Sequence, residues 1–238
     1  AAPPVPEAPP AAAKPTKPAE RVVVANAASA SAASTIISSG STIDGLRSIW
    51  DNGVTDESVI IKRVNDKELV AGKSGNWYRV SLSDADRKTR EAFERGTYVL
   101  GKHEPGFQKS AITFRDKYLA ALPASAYTLF VQAYATNTGF ARLRTIEDAN
   151  ATLKSISFHD RPDGEQRFTT ALAQQAIPDG NYYNSHLPLL RAGFVKSWLA
   201  ALPDGPLTVE LLKGELKPAT DTSGQSFDLF VFVDWTKK

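Results

Sequence analysis

The chain has 238 residues, with 28 Lys and Arg against 26 Asp and Glu, 42% hydrophobic and 23% charged residues, and neither Cys nor Met. The missing cysteine excludes a disulfide scaffold, a thiol nucleophile and thiolate metal sites, and a formal net charge of +2 does not by itself mark a nucleic-acid binder. The composition is that of a globular protein, and no apolar run approaches the roughly 18 residues of a membrane helix, so no membrane insertion is expected.

Residues 1 to about 20 are almost wholly Ala, Pro, Lys and Glu, and Ala25 to Ser41 is dominated by Ala and Ser, with a short apolar run at Val22 to Val24 between them. Such a segment has little to bury and several fixed φ angles, which predicts an extended arm over 1–40 ahead of a single globular domain over 41–238. Lys14, Lys17 and Arg21 give the arm a thin cationic character, enough for weak non-specific nucleic-acid contact and too sparse for packaging. Its composition suits lying over a neighbouring subunit or spanning a gap. Ala1 in place of Met reads as a processed end, left by a cleaved signal peptide or a trimmed initiator.

Ser41 or Thr42 caps a predicted helix through Trp50, which ends at Asp51-Asn52-Gly53. Strands are expected at Ser58 to Val64 and Trp77 to Leu82, with loop or hairpin between them. Ser83 or Asp84 begins a predicted charged surface helix to about Arg95, followed by a strand at Thr97 to Leu100. Further on, Ile146 to Ile156 reads as helix, Asp160 to Gly164 as a polar turn, Phe168 to Ile177 as ambiguous, and Pro178 to Tyr183 as an aromatic turn.

One internal repeat stands out. Phe114, Tyr118, Leu119, Ala120, Ala121, Leu122 and Pro123 return as Phe194, Trp198, Leu199, Ala200, Ala201, Leu202 and Pro203. In each copy the aromatics at i and i+4 and the Leu at i+8 fall on one helical face, and proline ends the helix. Strand candidates follow at Tyr127 to Tyr134 and Leu207 to Leu212. A duplicated helix-strand unit and a chance recurrence in an Ala-rich chain both account for the pattern.

The most strand-like stretch is Ser226 to Trp235. Phe227, Leu229, Val231, Val233 and Trp235 make one face wholly apolar, and Phe230 and Phe232 make the other apolar at its centre, as in a strand covered on both sides. Pairing of Leu207 to Leu212 with Phe227 to Val233 as a long-looped hairpin is expected to make the sheet partly antiparallel. The fold class is therefore α+β, a β-rich sandwich or jelly-roll-like sheet with covering helices.

The chemical signals are weak. Ala71-Gly72-Lys73-Ser74 matches the end of a phosphate-binding loop, but Lys67 stands where that loop needs Gly and a strand follows where it needs a helix. His159-Asp160 is an adjacent His-carboxylate pair, and His103 and His186 show no metal-site spacing to it. Asn181 to His186 has the Tyr and Asn content of a ligand loop and equally of a packed turn. Asn150-Ala151-Thr152 fits the glycosylation acceptor pattern. No Gly-x-Ser-x-Gly elbow is present.

These residues predict no enzyme, no catalytic or metal-binding set and no cofactor. The expectation is a structural, self-assembling protein, most concretely a viral or phage capsid (coat) subunit in a virion, a homo-oligomer whose N-terminal arm contacts its neighbours. The alternative is an exported periplasmic or secreted binding domain tethered by an Ala/Pro-rich linker. Deleting residues 1 to 35 is expected to leave the core folded, with an unchanged circular-dichroism melt.

Overall fold

The structure is a computed structural model that describes residues 43–64, 68–94, 96–137, 144–145, 157, 159, 181–182, 186–218 and 221–237. The arm, the Asn150 acceptor, the expected helix at 146–156 and the ambiguous stretch at 168–177 lie outside these residues. So do Lys14, Lys17, Arg21 and Asp160.

In chain order the elements are α1 (Ile43–Asn52), β1 (Val54–Thr55), β2 (Val59–Val64), β3 (Trp77–Leu82), α2 (Glu104–Phe114) and β4 (Tyr127–Asn137). They continue with β5 (Arg144–Thr145), β6 (Asn181–Tyr182), α3 (Leu187–Ala200), β7 (Glu210–Leu211), β8 (Glu215–Pro218) and β9 (Phe227–Val233). Seven strands form one mixed sheet in the order β1-β2-β3-β9-β4-β7, with β8 also on β4, while β5 and β6 pair separately. The chain is thus α+β. Among the described residues, helices rather than a second large sheet cover the main apolar face.

β9 occupies the middle of the sheet because both of its faces are apolar at its centre. It runs antiparallel to β3, with Trp77 opposite Phe232, and antiparallel to β4, with Phe130 opposite Phe230. Phe227, Leu229, Val231 and Val233 enter the main core with Leu46 and Trp50 of α1, Phe107 and Phe114 of α2 and Val195 and Leu199 of α3. Phe230 and Trp77 point the other way, into a smaller cluster closed by Leu69, Val70, Phe130 and Leu212. The expected hairpin between Leu207 to Leu212 and β9 does not form. β7 lies parallel to β4 instead, because α3 crosses over the sheet and carries the chain back in the same direction.

The repeat occupies equivalent places. Each copy is a helix, a turn and a strand, and the strands are parallel neighbours with Phe130 opposite Glu210 and Val131 opposite Leu211. Both turns close in the same way: the Leu122 N–H donates to Leu119 O at 2.8 Å and the Leu202 N–H to Leu199 O at 3.4 Å. The copies differ where α2 widens into a π-type turn over Arg115–Leu119, whereas α3 stays α-helical to Ala200. Arg115 joins them, its Nη1 donating to Pro203 O and Gly205 O at 2.6 Å each.

Two expectations fail for one reason. Of the segment expected as a helix to Arg95, the described residues 83–94 form a turn bridged from Asp84 to Thr89 and then irregular chain, and Thr97 to Leu100 forms no strand. The backbone groups that regular structure needs are already engaged elsewhere. The Ala92 and Phe93 N–H groups donate to Gln225 O at 2.9 and 3.0 Å, and Lys88 takes a left-handed φ of 53°. Thr97 O and Glu94 O accept from Arg191, at 2.8 and 3.3 Å.

Arg191 is 1% exposed on α3 and also donates to Tyr134 O, to Gly224 O at 2.9 Å and to Gln225 Oε1 at 3.1 Å, with its guanidinium 4.7 Å from the Phe93 ring centre. It gathers the turn segment, β4 and the approach to β9 onto one helix. Arg191→Met removes donors from buried carbonyls. It is expected to cost about 3 kcal/mol or more, measured as a lower urea midpoint with an unchanged slope.

Candidate functional site

The most strongly built polar cluster lies on the second face of the sheet, where β9 turns from Phe to Asp. Asp228 is fully buried in a strand that is otherwise hydrophobic. A carboxylate buried there needs hydrogen-bond donors, and three side chains reach it. Arg79 on β3 sends Nε to Oδ2 at 2.9 Å and Nη2 to the same oxygen. Ser81 donates to Oδ1 at 2.6 Å, and Arg90, from the turn segment, brings Nη2 to Oδ1 at 2.8 Å. Burial acts against the charge on Arg79, but Asp228 outweighs it and lifts that guanidinium above its usual pKa.

Tyr134 and Gln132 of β4 extend the cluster. The Tyr134 hydroxyl donates to Gln132 Oε1 at 3.2 Å, and Gln132 Nε2 donates to Lys213 O at 2.7 Å. Burial, with Asp228 adding to it, pushes the phenol well above its ordinary pKa, so Tyr134 remains a neutral donor. Lys217 stands 4.7 Å above the Tyr134 ring and pairs with Glu215 at 2.9 Å. Both arginine side chains remain about two-fifths exposed, at 40% and 41%, so the cluster opens to solvent on their side.

A second buried pair lies nearby. His103 Nδ1 is 3.0 Å from Asp84 Oδ2, while Asp84 Oδ1 accepts the N–H groups of Asp86 at 3.0 Å and Arg87 at 3.2 Å. Burial alone raises the Asp84 pKa, but the bonds from His103 and the two N–H groups together bring it below the usual carboxylate value. The pair resembles the orienting half of a hydrolytic triad, yet the nearby Ser110 hydroxyl donates to the Ser83 carbonyl. Asp84 also explains Gly106, since a Cβ there would lie 1.8 Å from Asp84 Oδ1.

The motifs read from sequence do not converge. Lys73 sits in a turn, bridged to Val70 and followed by β3, so Ala71 to Ser74 has no helix N-terminus to offer a phosphate. His159 lies at the sheet edge beside Leu212, bonded through Nε2 to Glu210 and edge-on to Phe130. His186 is buried at the start of α3. Of the aromatic turn, Asn181 and Tyr182 form β6 against β5. An open groove of about 370 Å³ runs along β1 and β2, but its acid, Asp51, already accepts from Tyr78 at 2.6 Å and pairs with Arg63 at 3.1 Å.

No group of three or more His, Asp or Glu side chains suited to a metal ion occurs among the described residues, and none of their helices is long and apolar enough to cross a membrane. Comparison with protein-family models, with curated proteins and with solved structures found no match to this chain.

Two measurements probe these clusters. Asp228→Asn leaves two guanidiniums facing a neutral amide and is expected to cost about 3 kcal/mol, against about 1 kcal/mol for Ser81→Ala, by urea unfolding at pH 7. Asp84, with its folded pKa lowered, contributes stability that is complete above about pH 4 and is lost as pH falls through the folded value. Asp84→Asn should therefore flatten the acid limb of the stability profile, and an unchanged limb would show that Asp84 does not contribute to it.

Proposed function

We propose that the chain is a binding domain carried on an Ala/Pro-rich tether, of the exported, periplasmic or secreted kind. The observation that carries this reading is the Arg79–Asp228–Arg90 arrangement, in which a buried carboxylate holds two half-exposed guanidiniums side by side. A polar feature fixed this firmly and open to solvent is suited to recognising a ligand. The rest of the described surface supports the same reading, since Val99, at 40%, is the one exposed large apolar side chain among the described residues. A segment with the Ala/Pro-rich composition of 1–40 fits the role of a leash between such a unit and a larger structure.

A second reading, the self-assembling coat subunit, keeps the support of that same segment. An arm of this length and composition suits contacts with neighbouring copies. In this reading the arm carries the assembly, because the described surface offers little apolar area to share.

Size-exclusion chromatography with light scattering separates the two. The tethered domain is expected to stay monomeric or dimeric across protein concentration and salt. Closed or helical particles under negative stain would overturn it in favour of the coat subunit.

A further inference from the structure

We propose that Arg79 and Arg90, with Lys62 beside them, form a binding site for an oxyanion of the carboxylate or phosphate class. The inference deepens the binding-domain reading and rests on it. It begins with an imbalance of charge. Two guanidiniums converge on Asp228, and among the described residues this is the one carboxylate that either of them bonds. Holding both on a single carboxyl group places like charges a few ångströms apart, and one negative charge balances only one of them.

The third cation sharpens the imbalance. Lys62 on β2 is the direct cross-strand partner of Arg79, so both side chains rise from the same face of the sheet. Like charges opposite one another on antiparallel strands are destabilising. Lys62 is exposed and no acid neutralises it among the described residues. Glu215 acts on Arg79 as well, but Lys217 pairs with it at 2.9 Å and adds a cation of its own, so the excess remains.

Unused donors point the same way. A guanidinium carries five N–H donors; Arg79 spends Nε and Nη2 on Asp228, whereas Arg90 spends Nη2 alone. The Arg90 Nε is buried without a partner, so the donors a ligand can reach are those of its two terminal nitrogens. A carboxylate or a phosphate presents two acceptor oxygens at a spacing that matches the outer edge of such a fork. Asp228 then acts as a positioning residue: it does not touch the ligand but fixes both guanidiniums, so that little side-chain freedom is lost on binding.

The test is a calorimetric titration of the full chain with sodium phosphate and, separately, with sodium acetate, at constant ionic strength against a chloride baseline. Saturable binding of one anion per chain is expected. Arg90→Gln and Lys62→Gln should each weaken the Kd about tenfold, and Arg90→Lys, which keeps the charge but not the fork, should fall between wild type and Arg90→Gln. Binding of phosphate alone would assign a phosphorylated ligand, and binding of acetate as well a carboxylate-ended one; both outcomes support the site. Because Lys62 is exposed and contributes nothing to the core, Lys62→Gln keeps the test valid even if Arg90→Gln unfolds. The site is overturned if neither anion binds beyond the chloride baseline, or if Lys62→Gln and Arg90→Gln bind as tightly as wild type. Particle formation would overturn the tethered-domain reading without bearing on these titrations.

Discussion

A carboxylate without access to water sits in the middle strand of the sheet, and much of the surrounding structure is arranged to bring hydrogen-bond donors to it. Replacing such a group with an apolar side chain of similar size is often neutral or stabilising, so the buried charge is a constraint rather than a source of stability. The constraint fixes position. Arg79 ties β3 to β9, and Arg90 draws the turn segment down onto the sheet. With that segment pinned, Ala92 and Phe93 reach Gln225, Asp84 meets His103, and the start of α2 must pass so close to Asp84 that only glycine fits at 106. Arg191 completes the same junction from the helical side.

Much of the scaffold was legible in the sequence because local pattern decides it. The helix over α1 and the strands β2, β3, β4 and β9 lie where alternation and turn residues put them. The turn segment was misread because its local signals are those of a helix: a Ser-Asp cap followed by a charged run. What prevents the helix is Gln225, more than a hundred residues away, which takes the N–H groups of Ala92 and Phe93. The hairpin expected of β9 failed for a related reason. Nearness in sequence favoured β7 as its partner, but an apolar strand covered on both faces is better satisfied between two long neighbours than at an edge.

The candidate site was hidden for a different reason. Arg79 and Arg90 lie 149 and 138 residues from Asp228, and no spacing rule spans that distance. The one available signal was Asp228 itself, an acid within a run of Phe, Leu and Val, which must find donors if the strand is buried. By contrast, the phosphate-loop fragment and the His159 pair drew notice only by local resemblance, and the fold places them at a turn and at a sheet edge. The repeat at Phe114 and Phe194 gained meaning in space, where it describes two adjacent helix-strand units joined by Arg115.

The central place of β9 also sets an order of events. Until residues 227–233 emerge, β3 and β4 flank a gap, each with a row of unpaired backbone groups facing where the strand will lie. Pairings as distant as Trp77 with Phe232 form late, because the closure entropy of the long loop must be met before the contact rewards it. The sheet therefore stays open in a nascent chain until β9 is made. One short segment thus acts as the clock for closing the sheet.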